Sequence, residues 1–216
     1  MTSPPLPWEW WGQGVPYGWA WARQKARRQG VIEGRAGECL ALLEHRAVVT
    51  FGRRPAPGNP SPEALEAMGL EVFHTERGGL ATWHGPGQLV GYLILDLRRR
   101  RLKVRVAVEA IEQGLIDWLR PHGVDAGRRA GWPGVWVGVD KIGALGLNIH
   151  RDVTMHGFAL NLRVASEAFG AIVPCGVTDG GVTSLDRLVA DAPGPVNAAP
   201  SVAEAVTRSL ESAAEP

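Results

Sequence analysis

Three strand-like segments follow one another between residues 134 and 164 with no helical segment between them, and this run is the feature that most constrains the fold. The segments read GVWVGV, KIGALGLNI and MHGFALNLRV. Pieces of strand that are interrupted by a few helices, without regular alternation of strand and helix, are typical of an α+β domain. The sequence therefore predicts an α+β fold with a mainly antiparallel sheet and packed helices.

The rest of the chain supplies the other elements of this fold. Apolar, β-branched runs predict strands at ECLALLEH and AVVTFG, which we expect to be neighbours, and at LEVFHTER and LVGYLILDL. Helical periodicity predicts helices at VPYGWAWARQKARRQG, PEALEAMG and VRVAVEAIEQGLIDWL, the last of which stops before Pro121. We expect residues 1–216 to form a single catalytic domain, with an irregular arm at residues 1–14 and a peripheral tail at residues 191–216.

Composition excludes several classes of protein. With 23 basic and 22 acidic residues the net charge is +1, which gives no reason to expect binding to nucleic acid or a membrane. Two cysteines are too few for a disulfide-stapled secreted scaffold, and no signal peptide or spanning segment is seen, so we expect a cytoplasmic protein. The basic run RRRRLKVR, residues 98–105, is interpreted as the solvated start of a helix, or alternatively as a docking surface for an acidic protein.

The stretch RGGLATWHGPGQ, residues 77–88, has the composition of a wall around a small molecule. Its glycines let the backbone approach a ligand closely, and Arg77, Thr82 and His84 offer hydrogen-bonding groups. An ordinary turn between two strands would have a similar composition. The stretch does not have the spacing of a phosphate-binding GxxxxGK[ST] loop or of GxGxxG.

Cys175, between Pro174 and Gly176, is a candidate nucleophile, and Lys141 is a candidate for the residue that activates it. A thiol becomes reactive as a thiolate, which a nearby amine stabilises. In isolation, a free cysteine is more often a buried structural thiol, and the setting of Lys141 favours a solvated residue of a turn. Cys39, in an apolar run, fits the structural role better. His84, His150 and His156 come without an HExxH or CxxC motif, so we expect no metal site.

Taken together, four segments resemble the octanoyltransferases of lipoate biosynthesis, also called lipoyl(octanoyl) transferases. They are LLEHRAVVTFGRR, RGGLATWHGPGQLVGYLILDLRR, GWPGVWVGVDKIGALGLNIHRDVTMHGFALNL and IVPCGVTDGGVTSL, in the order in which the family has them. The resemblance covers roughly residues 17–188. It implies a fold similar to the catalytic domains of biotin and lipoate protein ligases.

The resemblance also implies roles for particular residues. Cys175 is then the acyl-accepting nucleophile, and Lys141 lowers its pKa and moves protons. The substrate-binding positions that it implies are Arg77, Gly78, Gly79, Leu80, Ala81, Thr82, Trp83, His84, Ala144, Leu145, Gly146, Gly157, Phe158 and Ala159.

The reaction that the resemblance implies moves an octanoyl group from octanoyl-acyl carrier protein to a lysine of an apo lipoyl domain, through a thioester on the enzyme. The acceptors would be dehydrogenase E2 subunits and the glycine cleavage H protein, and no cofactor would be needed. Two alternatives remain open at this point. One is an ATP-dependent lipoate or biotin ligase on the same fold, and the other is a noncatalytic protein that binds acyl carrier protein or lipoyl domains.

Overall fold

The structure, a computed structural model, describes residues 5–55, 58–172 and 180–214. Its helices are α1 (Tyr17–Ile32), α2 (Pro62–Ala67), α3 (Val104–Leu119) and α4 (Pro195–Ser212). Its strands are β1 (Trp8–Trp10), β2 (Cys39–Leu43), β3 (Val48–Phe51), β4 (Glu71–His74), β5 (Ala81–His84), β6 (Gln88–Ile94), β7 (Gly127–Arg129), β8 (Trp132–Val137), β9 (Asp140–His150) and β10 (Val153–Asn161).

The strands form two sheets. The large sheet has seven strands in the order β1-β2-β6-β10-β9-β8-β7, and the small sheet has three in the order β4-β3-β5. The pairs β1–β2 and β3–β4 are parallel, and the other neighbouring strands are antiparallel. The predicted α+β class with a mainly antiparallel sheet is confirmed.

Alternation along the central strands gives the large sheet two buried faces. Leu40 and Leu42 of β2 face α3 and α4, whereas Ala41 and Leu43 face α1. Because side chains of a strand point alternately to opposite faces, a strand buried on both sides reads as a continuous apolar run, as CLALL does. The face toward α1 is the one that continues into the site described below.

Four local expectations are wrong. β2 and β3 are not neighbours, since they lie in different sheets. Part of the expected irregular arm forms β1, whose backbone pairs with β2. The expected peripheral tail contains α4, which buries Val202 and Val206 in the main core against α3. The basic run is not fully solvated, because Arg100 is buried and its Nε lies 2.9 Å from Oε1 of Glu38.

Candidate active site

A cavity of about 540 Å³ opens where the two sheets and α1 meet. Its wall combines apolar side chains such as Val90 and Phe158 with a few polar ones, including Thr82, His84 and Lys141. Binding sites for small molecules commonly have this size and this mixture of many apolar groups and few polar ones.

The glycine-rich stretch forms one wall, because it lies beside the part of β9 that does not pair with β8. β8 pairs with β9 only as far as Gly143, and beyond that point the backbone N–H of Gly78 donates to the carbonyl of Leu147, with N and O 3.0 Å apart. A Cβ atom on Gly146 would lie 2.8 Å from the carbonyl oxygen of Gly78. A glycine is therefore required at position 146 for this close approach.

Arg77 fixes the start of this wall to the small sheet. Its Nη2 donates to the backbone oxygen of Thr50 at 2.6 Å and to the hydroxyl of Thr50 at 3.0 Å, and its Nη1 donates to the carbonyl of Gly78 at 3.1 Å. The side chain is buried, so these bonds compensate for the loss of water around the guanidinium. Arg77 thus holds the loop in place and contributes positive charge to the cavity.

The substrate-binding positions expected from the sequence line this cavity, with the exception of Ala81 and Trp83. On β5 the side chains alternate, so Thr82 and His84 reach the cavity while Trp83 packs behind it in a cluster that includes Val49 and Leu65. Tyr17 and Tyr92 also line the cavity, although neither lies in a stretch whose composition marks it as part of a site. Their presence depends on the packing of α1 against β6 and β10, which no local pattern indicates.

Lys141 lies near the start of β9 and is only 6% exposed. Its Nζ donates to the carbonyl of Pro133 at 3.1 Å and sits 4.7 Å from the centre of the Trp136 ring. Its backbone N–H donates to Gly181 O at 3.0 Å, and its carbonyl accepts from Thr183 N at 3.0 Å. The segment that begins at residue 180 therefore runs beside Lys141.

Cys175 lies outside the described residues, so its pairing with Lys141 stays a prediction. The other cysteine, Cys39, is fully buried on β2. Burial raises the pKa of its thiol to about 11, with smaller effects from charged groups nearby. A thiol in this environment is protonated at neutral pH and is poorly suited to act as a nucleophile.

Three buried histidines stand close together at the α1 side of the cavity. Nδ1 of His45 donates to Val15 O at 2.8 Å, so its Nε2 accepts from the hydroxyl of Tyr92 at 2.6 Å. Burial lowers the pKa of His45 to about 4 and the pKa of both His84 and His156 to about 3. These rings are therefore neutral at physiological pH.

His156 has an unusual backbone conformation within β10, with φ of 64°. Few residues other than glycine adopt this region, and such strain tends to occur at functional sites. The backbone N–H of His156 donates to Oε1 of Gln24 on α1 at 2.9 Å, which connects the helix to the sheet beside the cavity. Within residues 5–55, 58–172 and 180–214, no group of at least three His, Cys, Asp or Glu residues is arranged to hold a metal ion.

Comparison with known proteins places this geometry in a family. The family described as "Lipoyl protein ligase A/B catalytic domain" matches residues 16–211. The chain belongs to this family. An octanoyltransferase of Novosphingobium aromaticivorans is 45% identical over 179 residues, which are 81% of this chain and 78% of that protein.

Solved structures of a lipoate protein ligase and of a biotin protein ligase share the fold of this chain. A bipartite lipoate protein ligase of Thermoplasma acidophilum matches 98% of this chain and 84% of its own, with a TM-score of 0.68 and 15% identity. Biotin protein ligase of Aquifex aeolicus, solved with biotin and ATP, matches 94% of this chain and 70% of its own, with a TM-score of 0.55 and 10% identity. The expected likeness to biotin and lipoate ligase catalytic domains is confirmed.

No helix among the described residues is long and apolar enough to cross a membrane.

Proposed function

We propose that this chain is an octanoyltransferase that acts in protein lipoylation. The observation that carries the proposal is the 45% identity to an octanoyltransferase over most of both chains. A largely apolar cavity with a buried lysine in its lining supports it, because such a cavity can hold an acyl chain beside a group that handles protons. The donor is octanoyl-acyl carrier protein, and the acceptor is a lysine of an apo lipoyl domain in a dehydrogenase E2 subunit or the glycine cleavage H protein.

The reaction has two halves. In the first, the Cys175 thiolate attacks the carbonyl carbon of the donor thioester, a new C–S bond forms, the donor's own acyl C–S bond breaks, and the donor sulfur leaves as a thiol with a proton from Lys141. In the second, the neutral amine of the acceptor lysine attacks the enzyme thioester, a C–N bond forms, and Cys175 leaves as thiolate. Lys141 takes and returns the proton. Because a thioester is already activated, neither half requires a nucleotide.

Intact-mass analysis after mixing with octanoyl-acyl carrier protein tests the intermediate. We expect one octanoyl group on the wild-type protein, none on Cys175→Ser, and one on Cys39→Ser, since Cys39 is fully buried. An adduct that persists in Cys175→Ser would contradict the assignment of the nucleophile. A wild-type protein that never acquires the octanoyl group would contradict the thioester mechanism as a whole.

The same assay separates the alternative functions. Apo lipoyl domain is supplied either with octanoyl-acyl carrier protein and a chelator, or with free octanoate, ATP and magnesium. We expect octanoyl-lysine in the first mixture. Product in the second mixture alone would indicate an ATP-dependent ligase, and product in neither would indicate a binding protein.

A further inference from the structure

A chain of buried hydrogen bonds connects the cavity wall to the segment beside Lys141. Nδ1 of His84 lies 2.7 Å from Oε1 of Gln88, and Nε2 of Gln88 donates to Oδ1 of Asn161 at 2.9 Å. Nδ2 of Asn161 donates to the carbonyl of Thr183 at 3.0 Å, and Thr183 N donates to the carbonyl of Lys141 at 3.0 Å. Each of these side chains is at most 8% exposed. The hydrogen bonds of this chain are therefore buried, and its two ends, His84 and Lys141, line the cavity.

Two main-chain carbonyls fix the direction of every bond in this chain. The carbonyl of Thr183 can only accept, so Asn161 must turn its amide nitrogen toward it and its oxygen toward Gln88. Gln88 in turn directs its nitrogen to Asn161 and, at 3.3 Å, to the carbonyl of Trp83. Its oxygen therefore faces His84, and Nδ1 of His84 must carry the hydrogen.

A neutral imidazole has one N–H, so this arrangement leaves Nε2 of His84 as a hydrogen-bond acceptor. The charged form is disfavoured by burial first and then by the nearby His45. The neighbouring rings do not occupy Nε2, because His45 bonds to Val15 and Tyr92 and the Tyr17 ring stacks on His84 with centroids 6.3 Å apart. His84 lines the cavity. The cavity wall thus presents an uncharged acceptor that is too weak a base to carry a proton near neutral pH.

We propose that Gln88 and Asn161 are positioning residues that hold His84 in its Nδ1–H form, so that Nε2 accepts a hydrogen bond from an N–H group of a substrate. The inference rests on the proposed function, which brings two such groups to the cavity. One is an amide of the pantetheine arm of the donor. The other is the amine of the acceptor lysine, where one N–H bonded to Nε2 would leave the lone pair free to attack the thioester.

Nitrogen-15 NMR of histidine-labelled protein tests the tautomer without reference to activity. We expect the hydrogen of His84 on Nδ1 in the wild-type protein, with the resonances assigned by their loss in His84→Phe. Gln88→Leu removes the acceptor and should move the hydrogen toward Nε2, whereas Gln88→Glu keeps an acceptor at Nδ1 and should not. A wild-type His84 with its hydrogen on Nε2 would overturn the proposal; the wild-type spectrum decides this, and His84→Phe serves only to assign the resonances.

Single-turnover kinetics of the two half-reactions identifies the substrate group. Loss of one neutral hydrogen bond in His84→Phe or Gln88→Leu should slow the affected half about two- to tenfold. Slower transfer from acyl-enzyme to lipoyl domain identifies the amine, and slower acylation identifies the pantetheine amide. Gln29→Leu, at an exposed position on α1, is the control and should leave both rates unchanged.

Unchanged rates in both halves, or the same slowing of both, would refute a role for Nε2 in binding one substrate group. Either result would leave the proposed octanoyl transfer standing, because the wild-type protein still forms and consumes the acyl-enzyme. Conversely, failure of the wild-type protein to accept an octanoyl group would refute the proposed function, while the NMR result would still report on the tautomer.

Discussion

Three buried cationic side chains in this protein each have their own hydrogen-bond or ion-pair partners. Arg77 donates to the carbonyls of Thr50 and Gly78, Lys141 donates to the carbonyl of Pro133, and Arg100 pairs with the carboxylate of Glu38. A charge removed from water is costly unless it is paired or hydrogen-bonded. Each of these positions therefore suits a side chain that can donate hydrogen bonds to its particular partners. A substitution there removes an identifiable interaction.

At Lys141 we expect the effect to concern the reactivity of Cys175. We predict that Lys141→Ala slows formation of the octanoyl-enzyme by about 10²–10⁴-fold, because proton transfer by a positioned group is lost. It should also raise the pH at which Cys175 reacts with iodoacetamide, since the thiolate loses a stabilising amine. Lys141→Arg should not restore full activity, because arginine keeps the charge but does not release a proton near neutral pH.

The measurements are intact mass against time for acylation and alkylation rate against pH for the thiol. Lys25→Ala, at an exposed position on α1, is the matched control and should match wild type in both. An alanine variant of Lys141 with unchanged acylation and an unchanged alkylation profile would show that Lys141 has only a structural role at the start of β9.

At the scale of elements, local pattern was a good guide to which segments are helices and strands. The apolar positions of the α3 segment recur at helical spacing, and that helix ends at Leu119, before Pro121, as predicted. Local pattern is a poorer guide to which strands pair with each other, because pairing joins residues that are distant in sequence. The failed pairing of β2 with β3, and the unforeseen pairing of β1 with β2, both have this cause.

The same distinction applies to the site. Composition within a short stretch indicates a possible pocket wall at residues 77–88, whereas the role of Lys141 comes from the resemblance to the octanoyltransferases. Tyr17 and Tyr92 carry no such local signal, because their contribution depends on α1 packing against β6 and β10. The role of Gln88 was also invisible, since its partner Asn161 lies 73 residues away.

The contact between α3 and α4 depends on one glycine. A Cβ atom on Gly114 would lie 2.6 Å from Cα of Val206 and 2.9 Å from the carbonyl oxygen of Ala205. Backbone atoms cannot yield as a flexible side chain does, so Gly114→Ala should lower the free energy of unfolding by about 1–3 kcal/mol. Urea unfolding followed by circular dichroism measures this.

Gly18, on α1, provides the matched control for this prediction. Its added Cβ would lie 3.6 Å from Cζ of Phe73, which is an ordinary contact distance. Since alanine is a better helix former than glycine by about 0.5–1 kcal/mol, Gly18→Ala should be neutral or stabilising. Equal stability of the Gly114 and Gly18 variants would mean that the two helices can separate at little cost.

At the scale of the whole molecule, the cavity lies where α1 and the two sheets meet. The histidines there are therefore buried only when the whole protein is folded. The pKa of His45 falls to about 4 and the pKa of His84 and His156 to about 3, against an ordinary value of 6.5, and burial is the largest cause for each. Below pH 6.5 the unfolded chain binds protons at these positions, whereas the folded protein does not. Stability is therefore greatest above pH 6.5 and falls as the pH decreases toward the folded pKa values.

This linkage predicts the slope of stability against pH. Between pH 6 and pH 5, each buried neutral histidine should lower the free energy of unfolding by up to about 1.4 kcal/mol per pH unit. The free energy is measured by urea unfolding at several pH values in this window.

His156→Gln should reduce the slope by up to that amount, whatever its effect on stability at pH 7.5, because the titrating group is gone. His150→Gln, at an exposed position, is the control and should keep the wild-type slope. A flat wild-type profile between pH 6.5 and pH 5 would mean that these rings accept protons without unfolding, and that the cavity wall does not hold them neutral.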